Sequence, residues 1–246
     1  ERRSAPVRRS ASVVGVALMS MSTSRNGRSG YSSRISPCDT LETGTLVTGR
    51  MFHTETVLLS GKVLVTGGYK DGLFNVFSCE LYDTATGKFS ATGSLKYGRD
   101  RHKATLLGSG KVLVTGGHNV FADSYPAQAE LFDPNTGVFV TTGSMDTGRS
   151  NHAAAVLDSG KVLVVGGITG AVSSLADTSL YDPSTGTFSA TGPLAVARFS
   201  HTATRLPSGM VLVMGGFGSG ALASAELYDE SAGTFSAAGS LNVARS

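Results

Sequence analysis

The apolar residues of this chain come in short runs that recur at a fixed distance. "HTETVLLSGKVLVTGG" (residues 53–68) returns in near-copy from His102, His152 and His201. The first copy holds two strand-sized pieces, 53–59 (strand a) and 62–67 (strand b). They meet at Ser60-Gly61, a two-residue hairpin turn in which Gly takes positive φ. Two further pieces follow, "SCELYD" (78–83, strand c) and "KFSAT" (88–92, strand d). Strand b is apolar at consecutive positions, so Val63 and Val65 point to one face and Leu64 to the other. A strand that is apolar on both faces is buried on both faces. A four-stranded sheet built around it therefore needs cover on each side, and the other copies can supply it. Each buried Val or Leu contributes roughly 1.5–3 kcal/mol, which places most of the stability between sheets.

Other positions recur with the same period. The histidines are 49, 50 and 49 residues apart. Arg50, Arg99, Arg149 and Arg198 each stand three residues before His53, His102, His152 and His201. Strand b ends on Gly67-Gly68, Gly116-Gly117, Gly166-Gly167 and Gly215-Gly216, where a missing side chain lets an aromatic of the next unit approach the backbone. Tyr82-Asp83, Phe132-Asp133, Tyr181-Asp182 and Tyr228-Asp229 lead into turns such as "DPNTG". Asp starts such a turn through its side chain and Gly closes it in a left-handed conformation. Phe89, Phe139, Phe188 and Phe235 follow in strand d. Self-similarity at this period means a repeat architecture, here a series of four-stranded antiparallel meanders.

These residues resemble the kelch-repeat family over positions 41–246, in the Arg-x-x-His, the double Gly after an apolar strand, the Tyr/Phe-Asp pair and the aromatic six residues later. Kelch units usually carry Trp in strand d, whereas this chain has Phe there and no Trp at all. With its "YDPxTGTF"-like turns it resembles a bacterial subset of secreted or surface kelch proteins. The resemblance implies an all-β fold, a β-propeller of four-stranded antiparallel blades. Four complete blades are expected at about 50–95, 99–145, 149–194 and 198–241 within a propeller region at 38–246. The segment 41–50 aligns with 90–99 and reads as one extra strand d, so the array is expected to be part of a larger ring.

Charge divides the chain. Residues 1–37 hold seven Arg, ten Ser and one acid, and carry +6; residues 38–246 carry −3. The tail reads as a disordered basic segment, with "ASVVGVALM" (11–19) as a degenerate signal-like stretch. On that reading the protein is extracellular or at the cell surface, with the cytoplasm as the alternative. The mildly acidic body gives no basic stripe for nucleic acid. No apolar run reaches the length of a membrane span. Cys38 and Cys79 have no metal-ligand spacing, and an oxidising compartment would let them pair.

A residue repeated in every blade serves every blade, so the arginines, histidines and double glycines are expected to be structural. The histidines would make one hydrogen bond per blade, with a metal-binding ring as the rival reading. The arginines would pin the d–a links. Binding should reside where blades differ, in the b–c links that share a face with the d–a links. The candidates are Tyr69, Lys70, Asp71, Phe74, His118, Asn119, Phe121, Asp123, Tyr125, Arg99 and Arg101, with Lys96, Tyr97 and Lys103 nearby. Hydrolase, metalloprotease and phosphate-loop motifs are missing from the sequence, so no cofactor is expected. The expected function is a non-catalytic scaffold for a protein or glycan ligand, with further blades as a second partner. The alternative is the propeller portion of a galactose-oxidase-like copper enzyme, for which Cys79 would be the candidate thiol.

Overall fold

A computed structural model describes residues 44–70, 74–170 and 173–245. The basic tail, its signal-like stretch, Cys38, residues 41–43 and Asp71 lie outside the described residues. Four four-stranded antiparallel sheets follow one another along the chain, each in the order a-b-c-d. In blade 1 the strands are Thr54–Val57, Val63–Thr66, Ser78–Asp83 and Lys88–Ser94. In blade 2 they are Lys103–Leu106, Val112–Thr115, Gln128–Asp133 and Val138–Ser144. Blade 3 has Ala153–Val156, Val162–Val165, Thr178–Asp182 and Thr187–Thr191, and blade 4 has Thr202–Arg205, Val211–Met214, Ser224–Asp229 and Thr234–Ser240.

Strand b sits in the middle of each packing surface. Val112, Leu113 and Val114 are wholly buried, as are Val162, Leu163, Val164 and Val165. Side chains alternate across the strand, so Leu113 faces blade 3 while Val112 and Val114 face blade 1. Three apolar clusters result, one at each junction between successive blades. In every blade the Tyr or Phe of strand c meets the Phe of strand d, with ring centroids 4.8–4.9 Å apart. That spacing suits a favourable offset aromatic pair.

Turn chemistry follows the sequence with one correction. Asp83 Oδ1 accepts from the amides of Ala85 and Thr86, and Gly87 (φ +67°) donates back to the Asp83 carbonyl. The a–b hairpin has three loop residues, not two: the Leu58 amide donates to Lys62 O, and Gly61 closes the loop at φ +82°. A type I turn followed by one left-handed Gly matches the twist of the flanking strands.

Most of the strand-d part of the expected extra strand lies at 41–43, outside the described residues, and residues 46–50 follow the path of a d–a link. Gly44, at the end of that part, makes the contact of a strand-d glycine. The Gly44 amide donates to Gly87 O, as Gly93, Gly143 and Gly192 donate to Gly137, Gly186 and Gly233. The outer faces of blades 1 and 4 have no mate among the described residues. Val63 and Tyr82 on blade 1 stay half-buried, whereas their counterparts Val112 and Phe132 are fully covered. Leu212 and Leu241 on blade 4 are likewise half-buried, whereas Leu113 and Leu163 are fully covered.

Candidate binding face

The d–a and b–c links lie on one face and are stitched together there. Met51 bridges Tyr69, Asp100 bridges His118, Ser150 bridges Ile168 and Phe199 bridges Phe217. The b–c links are not irregular loops. Tyr69–Lys70 pairs with Phe74–Asn75, Ile168–Thr169 pairs with Ser173–Ser174, and Asn119 bridges Ser124. Small hairpins thus stand on the face, held by backbone bonds to the links beside them.

The repeated arginines are buried and donate to partners inside the fold. Arg99 donates to Tyr97 O in its own link, to Gly116 O at the end of strand b, and to Gln128 O and Glu130 in strand c. Its guanidinium and the Glu130 carboxylate are 3.0 Å apart with no exposure on either side. Arg99 was a binding candidate; its burial removes it from that set. Glu130 Oε1 and Oε2 also accept from the amides of Tyr97 and Lys96, so one carboxylate locks link and arginine together. Glu80 does the same for Arg50, Val47 and Thr48, and Glu226 for Arg198, Ala195 and Val196. Blade 3 has Ser179 at that position, and Asp177 pairs with Arg149 instead. Two residues upstream on a strand is the same face, so the pairing survives the move. A Glu two residues before Tyr/Phe-Asp in three of four units was a legible signal that sequence reasoning passed over.

The histidines join blades rather than fix one blade each. His102 Nε2 lies 2.9 Å from Thr54 Oγ1 and 3.1 Å from Thr66 Oγ1, both in blade 1. His152 Nε2 lies 2.9 Å from Thr115 Oγ1 of blade 2. His201 meets Val165 at the corresponding place, and both of its ring nitrogens are buried without a partner. His53 has only Glu55 at 3.5 Å. The four are therefore not equivalent, contrary to the expectation of identical bonds. Burial holds His102 and His201 down at about 3 and His152 well below its ordinary value, with the neighbouring arginine charge as the next cause. All three are neutral at physiological pH. Among the described residues no group of three His, Cys, Asp or Glu is placed to hold a metal ion.

The double glycines admit these same groups. A Cβ on Gly116 would stand 2.3 Å from Arg149 O and 2.7 Å from the His152 ring, and Gly67 and Gly166 meet the same pair from their next blade. The close approach comes from Arg-x-x-His, not from a Tyr or Phe as expected. Cys79 is a free thiol, fully buried among Leu58, Leu64 and Leu95, and burial pushes it up to about 11. It packs the blade 1–2 junction.

The residues that differ between blades do gather on the face. The Arg101 guanidinium covers the Phe52 ring at 4.0 Å and pairs with Asp100 at 3.1 Å. His118 lies 3.9 Å from Asp100 and 3.3 Å from Asp123, and its ring packs at a tilt against Tyr125 with centroids 4.9 Å apart. Burial raises the pKa of Asp100 against the pull of Arg101 and His118. Tyr125 Oη reaches across to Gly170 O of blade 3. The Asn119 side chain caps its own turn by accepting from the Ala122 amide. Asn75, which sequence reasoning missed, binds blade 2's link from blade 1, donating to His118 O and accepting from the Val120 amide. Phe74 and Phe121 stand out in solvent, at 60% and 85% exposure. Tyr69 is half-buried and Lys70 exposed at the base of the first hairpin.

Residues 148–194, which are blade 3, match the family model of the Kelch motif. Blade 3 is a Kelch motif, and the other three blades repeat its pattern of Arg, His, Gly-Gly and paired aromatics. No curated protein matches the chain. The repeated residues serve the fold: the arginine and the aromatic pair tie strands and link within a blade, while three of the histidines and the double glycines join one blade to the next.

Proposed function

We propose that this kelch array is a non-catalytic scaffold that docks a protein partner, with a glycan as the second class, on the face bearing the b–c and d–a links. Kelch propeller repeats commonly mediate protein binding. One observation supports the choice of face. Phe52, Phe74, Phe77, Phe121 and Phe217 are the exposed phenylalanines, and all five lie in those links. The remaining Phe side chains are half-buried or buried. Exposed aromatics on a rigid frame are the usual anchors of a protein interface, because they bring large area at small entropic cost. Structural arginines and histidines hold that frame, so the exposed residues above it are free to vary.

A photo-reactive residue at position 121 should capture a partner, whereas one at Leu59, on the opposite face, should not. Phe121→Ser with Phe74→Ser should abolish capture and leave stability within about 0.5 kcal/mol, as exposed sites do. Equal capture from both positions would refute the reading. Glycan arrays probed with the same two proteins separate the glycan class.

A further inference from the structure

A cavity of about 310 Å³ opens on the docking face where strand a of every blade begins. Its rim is built from Phe52, Arg101, Asn151 and Ser200, the residue before the repeated His in each blade. All four are in the left-handed region, at φ 56°, 50°, 51° and 53°. Such a conformation costs a non-glycine residue on the order of 1 kcal/mol and persists where the surroundings impose it. Here the imposing element is a chain of backbone bonds. Arg101 donates to Phe52 O, Asn151 to Arg101 O and Ser200 to Asn151 O, at 3.0, 3.1 and 2.8 Å. The rim is therefore one continuous, prebuilt turn through four blades.

The charge of this cavity is unbalanced. No carboxylate lines it. Arg101 is matched by Asp100. Lys103, whose place is taken by Thr54, Ala153 and Thr202 in the other blades, lines the cavity and forms no ion pair among the described residues. Lys103 remains exposed to the cavity; partial desolvation there lowers its pKa, and no acid opposes that fall. Its charge also bears on His102, His152 and His201, so it is felt in three blades at once. Those rings are neutral and add no charge of their own.

We propose that this cavity is an anion site for a single carboxylate, taken up by the Lys103 ammonium with Asn151 and Ser200 as neutral donors on the rim. One unmatched cation calls for one negative charge, which selects a carboxylate over a dianionic phosphate. The carboxylate can come from a free organic acid or from an acidic side chain of the docked protein; the second source rests on the docking reading.

The test is a titration of the full chain with acetate and, separately, with inorganic phosphate in low-chloride buffer, followed by backbone amide resonances. Acetate should give saturable shifts at Arg101, Lys103 and Asn151. Lys103→Thr, which restores the residue of blades 1 and 4, should weaken acetate binding at least about tenfold. Lys62→Thr on the opposite face should leave it unchanged. Shifts absent from the rim, a Lys103→Thr titration equal to that of the parent, or tighter binding of phosphate than acetate would overturn the assignment. A Glu-containing peptide that binds more tightly than acetate, with its Gln analogue inactive, identifies a side chain as the source. Acetate binding without that gain identifies a free acid. Acetate binding in a protein that captures no partner through position 121 would leave this site standing and remove the docking reading.

Discussion

Acid should unfold this array through its buried histidines well before it reaches the carboxylates. His102, His152 and His201 are at most 6% exposed and are held neutral by burial against the preceding blade. In the unfolded chain each recovers its ordinary value of 6.5. Between that value and about 3 the unfolded state binds protons that the folded state refuses. Stability is therefore full above pH ~6.5 and is lost as pH falls. At pH 5 the loss relative to pH 7 is about 2 kcal/mol per histidine. It depends almost wholly on the unfolded value, because each folded value lies far below 5. Three histidines give about 6 kcal/mol, comparable to the whole stability of an ordinary domain of about 5–15 kcal/mol. Urea unfolding followed by circular dichroism at pH 7, 6 and 5 measures this. The urea midpoint should fall steadily, and His152→Gln should remove about a third of the loss. The turn aspartates Asp83, Asp133, Asp182 and Asp229 are lowered by their Lys, Ser and backbone partners, so they titrate below this window. A midpoint that is flat from pH 7 to 5 would refute the reasoning.

Other perturbations test the junctions separately. Arg99→Met leaves Glu130 buried and uncompensated, so it should cost about 3–5 kcal/mol in urea unfolding, and adding Glu130→Gln should recover much of that. Val165→Thr offers His201 the hydroxyl that Thr66 and Thr115 offer His102 and His152, and should raise stability by about 1 kcal/mol. Gly116→Ala drives a methyl into Arg149 O and should destabilise far more than Gly160→Ala, which has positive φ but open space and should cost about 1 kcal/mol by thermal melting.

Much of this was legible because it is local. Strands, blade boundaries and turns follow from side-chain alternation, from Asp and Gly at fixed offsets, and from a period that the eye can align. The candidate site was half legible. Variable residues do gather on one face, yet Arg99 was placed with them although it is among the largest fully buried side chains. Sequence shows that an arginine recurs, not which way it turns.

The sequence by itself determined that this chain folds as repeated four-stranded blades, since each blade's strands and turns are specified within some fifty residues of one another. Only the tertiary structure decided how the blades hold together and where charge is left over. The histidines reaching back to threonines of the preceding blade and the left-handed rim around Lys103 are contacts between blades, and Asp177 replaces Glu as the partner of Arg149 inside blade 3. They depend on the direction of each side chain and on what the neighbouring sheet presents to it, and neither is encoded in a repeat read one unit at a time.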